Sequence, residues 1–238
     1  MTAKRAKTIR FTSLIDIKAI LWLVISVIAI SAFGTSAAFA TDYHKGWIWD
    51  ETHHPEEFQD GSVPVYFDTN DLSSNLELAT GTTINQIYTQ IENAVDAWDD
   101  ETDFDVHRND TSTYYHDNRI GSTDLGPNVL GTAYTMRHGF FWDDHIVKVT
   151  IDFNDDGNDF QWDHDGDSST TTPPTIRIYN VALHELGHLN GLCDTYPPGG
   201  TQGDCHGHTT TASVMYAYTY GVIETITSND ETEVNREY

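Results

Sequence analysis

Residues 184–194 read His-Glu-Leu-Gly-His-Leu-Asn-Gly-Leu-Cys-Asp, and no other stretch restricts the fold of this chain so closely. Side chains four apart stack on one face of an α-helix, so His184 and His188 can turn both imidazoles to one point only if the segment is helical. Glu185 then lies beside them. Leu183, Leu186, Leu189 and Leu192 surround the pair, which argues for a buried helix and against two histidines on a solvent-facing one. Gly191 can adopt the left-handed conformation that ends a helix and turns the chain back, and Asp194 follows three residues later. From this composition, His-Glu-x-x-His arises by chance in roughly 3% of sequences of this length, and the extension to Gly191 and Asp194 lowers that to roughly 0.03%. Two imidazoles and a third ligand, with a fourth position left to water, is the pattern of catalytic Zn2+. His206 and His208 compete for the third place, but spacing from Gly191 favours Asp194.

The rest of the chain must supply layers around that helix. Val63-Pro64-Val65-Tyr66-Phe67 alternates as a strand does, with a turn expected at Asp68-Thr69-Asn70. Ile84, Ile87, Tyr88, Ile91, Val95 and Trp98 recur at helical spacing, and Thr83 with Gln86 forms a capping box, so an amphipathic helix is expected to end near Asp100. A short strand at Phe104-Asp105-Val106, a polar loop from Asn109 to Pro127 and a weaker strand from Val129 to Met136 follow. The best strand pattern runs from His145 to Phe153, before a long polar stretch from Asn154 to Thr175. The metal-bearing helix is expected over Val181 to Leu192, and a last helix opens at a Ser228/Glu231 capping box. No internal repeat is visible, and a single α+β (mixed α/β) domain over residues 63–238 is expected, preceded by a polar, aromatic-rich arm at 41–62.

Lys4, Arg5, Lys7, Arg10 and Lys18 precede an apolar run from Ala19 to Phe33 that gives way to Ala38-Phe39-Ala40. These are the three parts of a signal peptide over residues 1–40. The chain is therefore expected to be exported, cleaved after Ala40 and secreted as a monomer with no stable membrane association. Across its 238 residues, 37 Asp and Glu face 12 Lys and Arg, for a formal net charge of -25. Losing residues 1–40 removes five basic residues and one acidic residue, which leaves about -29. Such a surface repels nucleic acid and suits work in high salt, where self-repulsion is screened. Both cysteines, Cys193 and Cys205, lie beyond the leader, and in an exported chain a disulfide between them is expected.

The 184–194 motif resembles that of the metzincin metallopeptidases, His-Glu-x-x-His-x-x-Gly-x-x-His or Asp with a Met-turn downstream, and Ser213-Val214-Met215-Tyr216 is similar to that turn. The first strand, the helix ending in Ala97-Trp98, the strand before the zinc helix and the final helix ending in Tyr resemble small microbial matrixin-like domains. Asp in third place looks like the snapalysin group. Matrixins usually carry His at the position of Asp194, and Pro two residues after the Met where this chain has Ala217. The resemblance implies a zincin fold: a twisted mixed sheet, two long helices, an active-site helix, a Met-turn and a C-terminal helix. It also implies a zinc-dependent endopeptidase acting on protein or peptide substrates. His184, His188 and Asp194 would hold Zn2+, Glu185 would be general base to the zinc-bound water, Met215 would floor the site, and Tyr216 or Tyr218 would support the oxyanion. By the same order of elements, Val129 to Tyr134 is the sheet edge on which an extended peptide would pair. The alternative is a catalytically inactive secreted metal-binding or adhesion module on the same fold; the intact Glu185 favours the enzyme.

A second metal pattern lies upstream. Asp152-Phe153-Asn154-Asp155-Asp156-Gly157 matches the first half of a calcium loop, and Asp163 stands where such a loop has its bidentate ligand. Asp152, Asn154, Asp156 and Asp163 are therefore candidate Ca2+ ligands, although the pattern begins at a strand and not at the helix an EF-hand would require.

Overall fold

Val63, Val65 and Phe67 are buried on one side of strand β1 (Ser62–Phe67), while Pro64 and Tyr66 on the other are only partly covered. This is the alternation of a strand with one face on a core. The computed structural model describes residues 49, 62–109, 118–127, 129–138, 145–156, 160–166, 171–195, 213–216 and 224–237. The expected leader, nearly all of the 41–62 arm, Cys205, His206, His208 and Tyr218 lie outside them.

The chain does not simply turn after β1 but winds into a short helix, α1 (Thr69–Asn75), because Asp68 accepts from Asp71 N at 3.1 Å and Leu72 is buried. Helix α2 (Ile84–Glu101) starts at the expected capping box, in which Thr83 N donates to Gln86 Oε1 at 2.9 Å and Gln86 N to Thr83 Oγ1 at 3.4 Å. It buries Ile87, Ile91, Ala94, Val95 and Trp98. Strands β2 (Asp105–Asn109), β3 (Asn118–Thr123), β4 (Gly131–His138) and β5 (His145–Asn154) join β1 in one five-stranded sheet ordered β2-β1-β3-β5-β4. All pairings are parallel except β4 with β5, which makes β4 an antiparallel edge.

Strand β3 lies inside the expected polar loop, and its hydrogen bonds explain why its pattern hides it. Asn118 donates to Pro64 O at 3.0 Å and accepts from Val149 N at 2.8 Å, while Arg119 contacts Asp68, Asp71 and Asp152. A strand whose polar side chains are all satisfied sideways can sit mid-sheet with Ile120 as its only large apolar residue. The polar stretch from 154 to 175 likewise holds β6 (Gln161–Asp163), which pairs in parallel with β7 (Thr175–Arg177). Trp162 anchors it edge-on to Phe153 and Phe160.

Helix α3 (Ile178–Leu189) begins three residues before its expected start and lies against α2, β4 and β5. The last helix, α4 (Ser228–Glu237), is present, but its capping box is one residue earlier than expected: Thr227 N donates to Asp230 Oδ2 at 3.0 Å and Asp230 N to Thr227 Oγ1 at 3.4 Å. The whole is a mixed α/β fold with a mostly parallel sheet and, among the described residues, four helices, in agreement with the expected α+β class. None of the described helices is long and apolar enough to cross a membrane.

Candidate metal centre

Helix α3 is buried along its whole length from Val181 to Leu189, so its polar groups need partners from other elements. Trp98 of α2 donates its indole N–H to Leu183 O at 2.9 Å. At the other end Gly191 adopts φ +82°. Gly191 N then donates to His188 O at 3.0 Å and Leu192 N to Gly187 O at 2.9 Å, the paired bonds of a Schellman motif. Leu189 O, the next carbonyl, accepts from the indole of Trp49 at 2.9 Å. The expected turn at Gly191 is therefore present, and it carries Asp194 back beside the histidines.

His184 Nδ1 lies 2.8 Å from Val214 O, and His188 Nδ1 lies 2.8 Å from Leu192 O. A carbonyl only accepts, so both Nδ1 atoms carry hydrogen and both Nε2 atoms of the neutral rings present lone pairs. Those lone pairs face one carboxylate oxygen: Asp194 Oδ1 is 3.1 Å from His184 Nε2 and 3.6 Å from His188 Nε2. Three electron donors so placed are stable only around a shared cation, whether metal or proton. His184, His188 and Asp194 are all buried and offer ligand atoms within 4.8 Å of one another. The donor set of two imidazoles and a carboxylate fits a divalent transition metal, with the Nδ1 bonds fixing tautomer and ring direction.

Without metal a proton takes that place. Burial alone would depress His184, but the Asp194 hydrogen bond and charge outweigh it, aided by Glu185 and Val214 O, and its pKa rises from 6.5 to about 9. His188 is pushed up too, burial again being overcome by Asp194. Burial would raise Asp194, but its hydrogen bonds to the two histidines hold it down at about 2.

Met215 packs against α3 at Gly187. A β-carbon at Gly187 would overlap Met215 Sδ and lie 3.1 Å from Trp98 Cζ2, so glycine lets Met215 reach the helix here. The segment carrying Met215 is itself tied down. Ser213 Oγ donates to Asp230 of α4, Val214 N donates to the same carboxylate at 3.2 Å, and Met215 O accepts from Thr195 N at 2.6 Å. Tyr216 forms an isolated bridge with Thr195. Asp230 thus fixes Val214, whose carbonyl fixes His184.

Glu185 is fully buried and lies toward the edge strand: a β-carbon at Gly131 of β4 would sit 3.0 Å from Glu185 Oε1 and from Val181 Cγ1. Asn154 N donates to Leu130 O, so the main chain at Leu130 faces β5 and that of Gly131, one residue on, faces outward. Sequence reasoning missed Gly131, Gly187 and Asp230. The signal for Gly187 was present, since a glycine inside a helix costs about 1 kcal/mol against alanine and marks a close approach.

Among the described residues, Asp152, Asp156 and Asp163 do not fall into one group of candidate metal ligands. Asp152 sits in the β5 ladder with its carboxylate on Arg119 Nη1 at 2.7 Å. Asn154 uses its amide on Leu125 N, Asp156 N, Gly126 O and Val129 O, which clamps a turn. Asp163 accepts from Thr82 Oγ1 and His164 N at 2.7 Å each, and groups with His164 and Asp165 instead. Cys193, beside Asp194, is disulfide-bonded.

No protein-family model matches the chain, and no curated protein matches it.

Proposed function

We propose that the protein is a secreted zinc-dependent endopeptidase of metzincin type with Glu185 as general base. One observation carries the reading: a buried His184–His188–Asp194 donor set with a buried carboxylate one residue from its first ligand, set against the outward edge of a β-strand. Structural zinc sites are usually closed by four protein ligands, whereas three leave a place for chemistry.

When bound, zinc supplies Lewis acidity toward a substrate carbonyl and the attacking water. Glu185 accepts one proton from that water as its oxygen bonds to the carbonyl carbon. The carbon–nitrogen bond then breaks as Glu185 returns the proton to the departing nitrogen, so the carboxylate is regenerated. Asp194 would bring a bound metal a negative charge that a third imidazole would not, which would leave more of the proton removal to Glu185. The outward main chain of β4 offers an extended peptide a strand to pair with, and Gly131 keeps that edge close to Glu185.

The test is casein or peptide hydrolysis by purified protein before and after chelation, beside Glu185→Gln. The variant should keep its zinc and its fold while activity falls by at least about 100-fold. Equal activity in variant and parent would sink the mechanism, and a zinc-loaded but inactive parent would favour the binding-module alternative.

A further inference from the structure

Asn190 N closes the last ordinary bond of α3 onto Leu186 O at 3.1 Å, and the carbonyls beyond it need donors from elsewhere. Gly187 O accepts from Leu192 N at 2.9 Å and His188 O from Gly191 N at 3.0 Å. Both donors belong to the turn that follows the helix. Leu189 O takes its donor from a distant part of the chain, the indole of Trp49 at 2.9 Å. Trp49 lies in the N-terminal arm, ahead of β1, yet it is only 4% exposed and is bridged to Ile146 of β5. A buried indole needs an acceptor for its N–H. The acceptor used here is the carbonyl of the residue next to His188.

The place of that carbonyl gives the bond a task. A metal held by both His188 and Asp194 would close a loop over residues 189–193, and that loop must be ordered for its two ends to grip one ion. His188 Nδ1 donates to Leu192 O at 2.8 Å, and Gly191 N and Leu192 N bond back to His188 O and Gly187 O. These three bonds join the loop to the helix it has just left. The Trp49 bond instead joins its first residue to the sheet, through the bridge at Ile146. Order that the protein imposes beforehand need not be imposed by the ion, and affinity rises accordingly.

We infer that Trp49 is a positioning residue of the metal centre: through Leu189 O it holds the turn that carries Asp194, and it thereby couples the N-terminal arm to metal binding. The inference rests on the zinc part of the proposed function and not on proteolysis. The coupling runs both ways, because a contact that raises metal affinity is itself strengthened by the metal to the same degree. Metal loading therefore locks the arm in place, and trimming the arm past Trp49 weakens the hold on the metal. Trp98 provides the contrast. Its indole bonds Leu183 O at 2.9 Å, on the other side of the histidine pair, but it stands within α2 and cannot leave without the core.

The experiment measures zinc affinity of the full chain by calorimetry for the parent, Trp49→Phe and Trp162→Phe. Phenylalanine keeps an aromatic ring in place and removes the N–H. Trp162 is the matched control, a buried indole that donates to Asn154 O at 2.9 Å and so touches a carbonyl outside the metal helix. Trp49→Phe should bind zinc about 3- to 10-fold more weakly, the range of one net hydrogen bond, while Trp162→Phe stays within about twofold of the parent. A second measurement needs no substitution and decides the matter even if Trp49→Phe does not fold. Hydrogen exchange at the two indoles, followed by NMR with and without zinc, should be slowed by zinc more at Trp49 than at Trp162. Parent affinity in Trp49→Phe, equal weakening in both variants, or equal slowing of both indoles would make Trp49 a packing residue and overturn the inference. A parent that binds no zinc would overturn it together with the zinc reading. Weakened zinc binding in Trp49→Phe beside a parent that cleaves no peptide would uphold it and refute only the peptidase.

Discussion

Removing the metal and raising the pH should weaken the fold through His184. In the metal-free protein the ring keeps one proton on Nδ1 for Val214 O and takes a second on Nε2 against Asp194, which lifts its pKa from 6.5 to about 9. A folded-state pKa above the unfolded one means stability fully present below 6.5 and lost as pH rises through about 9. At 1.36 kcal/mol per pH unit, the loss is about 3 kcal/mol. Asp194 describes the same contact from the other side. Its pKa, lowered from 3.8 to about 2, predicts stability present above 3.8 and lost as pH falls through about 2. The two are one interaction and are counted once, so the contribution is level between about pH 4 and 6.5 and falls on either side.

Urea unfolding of chelator-dialysed protein at steps from pH 6 to pH 9.5 would measure this, with Asp194→Asn as reference. The parent should lose about 3 kcal/mol more than the variant across that range. Zinc must displace the same proton, so the apparent zinc affinity should climb about tenfold per pH unit over the same window before levelling. Parallel stability curves for parent and variant would refute the shared-cation argument.

Asp194→Ala should lower zinc content after dialysis, whereas His206→Ala and His208→Ala should not; the reverse pattern would move the third ligand into that segment. Gly187→Ala gains about 1 kcal/mol of helix propensity but overpacks Met215 and Trp98 at a cost of about 1–3 kcal/mol, so melting temperature and zinc retention should both fall. Unchanged values would show that Met215 has room to move. With a formal net charge of -25 on the full chain, stability should rise steeply between about 0.1 M and above 1 M NaCl, and a melting temperature flat in salt would dispose of the high-salt reading. Arg119→Gln would leave Asp68, Asp71 and Asp152 facing one another at a cost of roughly 2 kcal/mol in dilute buffer, and most of that should return in strong salt because the three are partly exposed.

The elements legible in the sequence are those whose side chains carry the pattern. The α2 repeat of Ile87, Ile91, Val95 and Trp98 faces the core as its spacing predicts, and β1 and β5 alternate or run apolar as strands with a buried face must. Strand β3 was illegible because its stability comes from neighbours: Asn118 and Arg119 belong in a sheet only when Pro64, Val149 and three aspartates stand ready to meet them. The first residue of the calcium pattern has a partner that spacing does not reveal. Asp152 matches a ligand position in one dimension, but in three it neutralises Arg119, and no spacing rule contains that guanidinium.

The candidate site divides along a similar line. His184, Glu185, His188, Gly191 and Asp194 were legible because a metal demands particular side chains, and a helix followed by a glycine turn relates their spacing to their positions. What aims them was not. His184 is oriented by the carbonyl of Val214 and His188 by that of Leu192, and α3 is closed at its end by an indole from Trp49. Any residue can supply a carbonyl, so the sequence at 214 or 192 bears no mark of the task. The mark falls one step away, on residues that hold that backbone in place: Asp230, which binds Ser213 and Val214, and Gly187, which makes room for Met215. A site whose imidazoles are set by main-chain atoms is therefore more sensitive to changes at Asp230 and Gly187 than to conservative exchange of Val214 itself, since Val214→Ile leaves the carbonyl where it is and Asp230→Ala does not.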